Sequence, residues 1–122
     1  MDLAELNRRV TAAITIAEGL PKDSPACWTA FREVSRLEEQ IARSTAADDV
    51  EGEIARIGAV AAALSANEPL RAIQLGEAYL AEELAEDIAA KIRGMLAEAN
   101  DVLGAFAGDL TVQPVRFTLD AA

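Results

Sequence analysis

The stretch SPACWTAFREVSRLEEQIAR, residues 24–43, decides the fold class. Ser24 precedes Pro25, a side-chain cap followed by proline at the first helical position, where its missing N–H is not needed. Cys27, Phe31, Val34, Leu37 and Ile41 then recur at steps of three and four, the spacing of one helical face, with Trp28 on its flank. Arg32, Glu33, Arg36, Glu39 and Arg43 occupy much of the other side. Glu39 and Arg43 attract at i,i+4, while Arg32 and Arg36 repel at the same spacing. The pattern is an amphipathic helix that fades at Ser44-Thr45.

Upstream, Asp2-Leu3-Ala4-Glu5 has the form of an acidic helix start. Leu3, Leu6, Val10, Ile14 and Ala17 make its apolar stripe, and Gly19 with Leu20-Pro21 reads as a left-handed glycine cap and stop. Downstream, a third helix starts near Asp48, with Glu51 at capping-box spacing. It carries Val50, Ile54, Ile57, Ala61 and Leu64 to about Asn67. Gly52 and Gly58 interrupt it, each about 1 kcal/mol worse than alanine in helix propensity. They mark either a close approach of two helices or tolerated surface glycines. A fourth pattern follows Asn67-Glu68-Pro69 and runs from Leu70 to Phe106. Unbroken, it would exceed about 50 Å at 1.5 Å per residue, so a break near Gly94 or Asn100-Asp101 is expected.

Residues 111–119 change character. Val115, Phe117 and Leu119 alternate with Arg116 and Thr118, the two-residue period of a half-buried strand, and Pro114 confines that strand to an edge. No second strand is visible to pair with it. Pairing in trans and extended docking across the helices are the two ordered alternatives. The expected fold is all-α, a three- or four-helix antiparallel bundle over residues 1–109, with a C-terminal extended, strand-like segment over 110–122.

The composition supports a modest core. Of the 52% hydrophobic residues in this 122-residue chain, 27 are alanine, which favours helix but buries little area. Leu, Ile, Val and Phe number 31, enough for one folded domain. There is no histidine, which removes imidazole acid–base chemistry and most zinc sites. A single cysteine forms no internal disulfide or CxxC pair, and Cys27 on the apolar stripe reads as a buried, inert thiol. The net charge of −10 disfavours nucleic-acid backbones and acidic membrane surfaces. The acidic start and the absence of a long apolar run lead to the expectation of a cytoplasmic protein.

One acidic cluster could carry chemistry. Glu82-Glu83-Leu84-Ala85-Glu86-Asp87 places Glu82 and Glu86 on one helical face, a spacing that can hold Mg²⁺. Glu82, Glu83 and Glu86 resemble half of the metal motif of all-α nucleotide pyrophosphohydrolases of the MazG type, and that resemblance implies a Mg²⁺-dependent hydrolase. The family's second half, Glu-Glu-x-x-Asp, has no counterpart here. The bland reading is a solvated helix face.

The leading expectation is a non-enzymatic interaction protein, an adaptor, regulator or assembly subunit, with no cofactor and no metal site. A protein partner or a homodimer is expected. Its candidate interface residues are Trp28 and the second apolar line Leu75 and Tyr79, with Val115, Phe117 and Leu119 of the strand-like segment. An acidic inhibitor or immunity-type protein for a basic partner is the variant that uses the charge, and the hydrolase is the alternative from another class.

Overall fold

A computed structural model describes the backbone of residues 2–112 and the side chains of residues 2–105. The described residues form five helices and no strand: α1 Leu3–Glu18, α2 Pro25–Arg43, α3 Val50–Ser65, α4 Pro69–Leu80 and α5 Glu86–Val112. Each helix packs on the next in chain order, and α5 also returns to α3, so α3 touches α2, α4 and α5. No helix among the described residues is long and apolar enough to cross a membrane.

The starts of α1, α2 and α4 follow the sequence signals, whereas α3 begins after Asp49, not Asp48, and has no side-chain cap hydrogen bond. The Asp2 carboxylate accepts from the Glu5 N–H at 2.8 Å, and the Ser24 hydroxyl accepts from the Cys27 N–H at 3.1 Å. Pro25 and Pro69 each sit in a first helical turn. Gly19 departs from expectation: its φ is −86°, an ordinary right-handed value. The left-handed positions are Asp23, at φ 58°, and Asn67, at φ 59°. Both are residue types that tolerate this region, and they turn the chain into α2 and α4.

The expected long fourth helix breaks at residues 81–85, not near Gly94 or Asn100, and therefore becomes α4 and α5. Packing accounts for the position. A methyl group on Gly76 would stand 2.6 Å from a Leu96 methyl and 3.3 Å from an Ile92 methyl, so α5 folds directly back onto α4 there. In a continuous helix Gly76 and Ile92 would lie about 24 Å apart. Thr111 and Val112, expected to open the strand, end α5 instead. The remainder of the strand-like segment lies outside the described residues.

The third helix also corrects its expected orientation. The start of its large apolar stripe is not buried: Val50 is 68% exposed and Ile54 62%, while Ile57 and Leu64 lie partly buried against the core. Ala55, Ala59, Val60, Ala62 and Ala63 are buried in its place. A helix with neighbours on three sides fits best when its core face is small, since short side chains let the helix axes approach. Gly52 meets the same demand, because a methyl there would stand 1.9 Å from the Ala46 carbonyl oxygen.

Candidate functional site

The polar residues of α2 and α3 divide into a closed set and an open set. The closed set lines the contacts made by α4 and residues 81–85. Arg56 is 5% exposed and makes four hydrogen bonds. Its guanidinium donates to both Glu82 carboxylate oxygens, at 3.0 and 2.8 Å, to the Gly52 carbonyl at 3.0 Å and to the Thr45 carbonyl at 3.2 Å. It also lies over the Tyr79 ring, 5.6 Å from its centre. From α4, Arg71 donates to Glu39 of α2 at 2.8 Å and to the Ser35 hydroxyl at 3.2 Å, and Ser35 donates to the Ala59 carbonyl at 2.8 Å. Arg32 pairs with Glu68 at 2.6 Å.

This arrangement dissolves the expected acidic face. Glu82 is committed to Arg56, and residues 81–85 lie between helices, so Glu82, Glu83 and Glu86 do not share a helical surface. Among the described residues, no group of three or more carboxylates or thiols gathers as a metal ion would need.

The open set lies where α1, α2 and α3 meet. A cavity of about 430 Å³ is lined by Asn7 from α1, Glu38 and Ile41 from α2, and the first turns of α3 with Asp49 before them. Glu38 is the unusual member. It is 9% exposed, yet its carboxylate has no hydrogen bond or ion pair among the described residues. It lies against the backbone of α3, where a methyl on Gly58 would stand 2.4 Å from Oε2. Burial pushes its carboxyl up to about pKa 7, because desolvation disfavours the charged form and no cation among the described residues compensates. At the mouth, Glu51 accepts from the Asn7 amide at 2.6 Å, and Asp49 adds a third carboxyl. None of the residues lining the cavity is cationic. Exposed Val50 and Ile54 stand beside these carboxylates.

The expected interface residues fall elsewhere. Leu75 and Tyr79 are 8% and 7% exposed and belong to the chain's own core. Two apolar lines on α4 are thus satisfied within one chain, and neither side chain is a free anchor. The Tyr79 hydroxyl is enclosed without a hydrogen-bond partner among the described residues, and burial pushes it up to about pKa 12. Trp28 is half-buried at the start of α2. Next to it, Cys27 is 3% exposed, with its thiol directed at the Ala17 carbonyl, 3.8 Å away. Val115, Phe117 and Leu119 lie outside the described residues.

Sequence reasoning passed over Glu38, although one signal was present. It sits four residues after Val34 and three before Ile41, hence beside the buried stripe of α2. Val50 and Ile54, expected in the apolar stripe of α3, are exposed instead. No protein-family model, curated protein or solved structure matches the chain.

Proposed function

We propose that this chain is a non-enzymatic interaction protein that recognises a positively charged protein partner, as an acidic inhibitor or adaptor does. The observation that carries this reading is the surface beside the open set of residues, where Val50 and Ile54 are exposed next to carboxylates that no cation neutralises among the described residues. Apolar side chains give such a contact its affinity, and the surrounding charge selects the partner and speeds encounter. The net charge of −10 supplies a long-range field of the matching sign.

The homodimer has less support than the sequence suggests. Leu75 and Tyr79 are occupied within the chain, and two copies meeting at the open set would oppose like charges. Hydrolase activity loses its geometric premise with the separation of Glu82 from Glu86.

The test is affinity capture from lysate of the source cells, repeated across ionic strength. The reading predicts a partner with a surplus of Lys and Arg. Its association should weaken steeply between about 50 mM and 500 mM salt, as the Debye length shrinks from roughly 14 to 4 Å. A neutral or acidic partner, or salt-independent association, would contradict it.

A further inference from the structure

We propose that the cavity between α1, α2 and α3 receives one arginine or lysine side chain of the protein partner. Glu38 is its counter-charge, and Val50 and Ile54 form the apolar seat for the residues flanking it. The assignment rests on recognition of a basic partner and adds the site and its chemistry.

Three independent observations converge on this cavity. Glu38 is nine-tenths buried, has no hydrogen-bond or ion-pair partner among the described residues, and lines the cavity. An uncompensated buried carboxyl is costly to retain, whereas an arriving cation would supply the partner it lacks. The walls combine Ile41 and Ala55 with carboxyls at the depth and mouth, which suits a long apolar stem ending in a charge. Val50 and Ile54, four residues apart on α3, border the opening and are more than half exposed.

Other occupants fit less well. A metal ion needs converging carboxylates, and no such group exists among the described residues. A free amine would leave Val50 and Ile54 in water, while a side chain carried on a folded partner covers them. A second copy of this chain brings ten surplus negative charges to an acidic surface.

The full chain, isotopically labelled, is titrated with the capped peptide acetyl-Leu-Arg-Leu-amide and followed by NMR. Its glutamine counterpart acetyl-Leu-Gln-Leu-amide and free ethylguanidinium serve as the other arms. Saturable shifts centred on Asn7, Glu38, Val50 and Ile54 are expected with the arginine peptide and not with the glutamine peptide. Glu38→Gln should weaken binding at least about tenfold, the effect of removing one partner of a desolvated charge pair. Ile54→Ala, at an exposed position that leaves the fold intact, should weaken it about threefold through lost apolar contact. Equal affinity for ethylguanidinium would overturn the side-chain assignment. Shifts elsewhere, or none, would overturn the cavity itself. The wider reading of a basic partner falls only if salt-dependent capture fails as well.

Discussion

Arg56 and Glu38 are both charged residues buried at the surface of α3, and the chain treats them in opposite ways. Around Arg56 the backbone of α3, the loop before it and the carboxylate of Glu82 supply four hydrogen bonds, and Tyr79 closes the remaining side. Around Glu38 there is a glycine, apolar wall and further carboxyls. The first arrangement is complete within one chain and holds the break between α4 and α5 against α3. The second is incomplete among the described residues, and a positive group would complete it. A buried charge with every partner present is a structural part. One with no partner is either a defect or half of an interface, and exposed Val50 and Ile54 beside it favour the interface.

Loss of Arg56 should have the larger effect. Arg56→Ala should destabilise the chain by about 4 kcal/mol, the scale for removing one member of a buried ion pair. Glu82, a third exposed, can regain some water, but the four hydrogen bonds are lost. Urea unfolding followed by circular dichroism measures the change. A loss below about 1 kcal/mol would mean that Arg56 does not hold the α3–α4–α5 corner.

Glu38→Gln should act in the opposite direction and show itself through pH. Below about pH 4.5 the Glu38 carboxyl is protonated in the folded and unfolded chain alike, and its charge costs nothing. As pH rises from there to about 7, the unfolded chain releases the proton while the folded chain retains it, so stability falls through this window and levels above it. Glutamine removes that loss. The variant should therefore exceed the native chain in stability by up to about 3 kcal/mol at pH 8, with the difference fading toward pH 4. Unfolding free energies of the two proteins, compared across this range, check the sign and the window.

The two glycines of α3 sharpen the contrast with smaller effects. Gly52→Ala places a methyl against the backbone oxygen of Ala46, which cannot swing aside, and should cost about 2 kcal/mol despite better helix propensity. The three atoms nearest a methyl in Gly58→Ala all belong to the flexible Glu38 side chain, Oε2, Cδ and Cγ. That carboxylate can move into the cavity, so the net change should stay within about 1 kcal/mol. Similar losses at both positions would show that Glu38 is wedged in place and not available to a ligand.

Local signals made much of the helical layout legible. Asp2, Ser24-Pro25 and Pro69 announce helix starts through capping and proline geometry, and the stripes of α1 and α2 are buried largely as their spacing implies. The break at 81–85 was not legible. Ala81, Glu82, Glu83, Leu84 and Ala85 are good helix formers, and what stops the helix is contact between residues far apart in sequence, Gly76 with Leu96 and Arg56 with Glu82. The orientation of α3 was hidden for a related reason. Hydrophobicity favours Val50 and Ile54 for the core, but a helix enclosed by three neighbours buries its alanines. Of the site, the charge surplus could be read from composition, and its location could not, because Asn7, Glu38 and Glu51 come together only through tertiary packing.

The most direct measurement is the titration of the Glu38 side-chain carboxyl by carbon-detected NMR, in the free protein and with the arginine peptide bound. The account predicts a midpoint near 7 in the free chain, well above the ordinary 4.5. It should fall toward the ordinary value when a guanidinium takes its place beside the carboxylate. A midpoint near 4.5 in the free chain, unmoved by the peptide, would contradict the central claim that Glu38 is a buried, unmatched charge awaiting a basic partner.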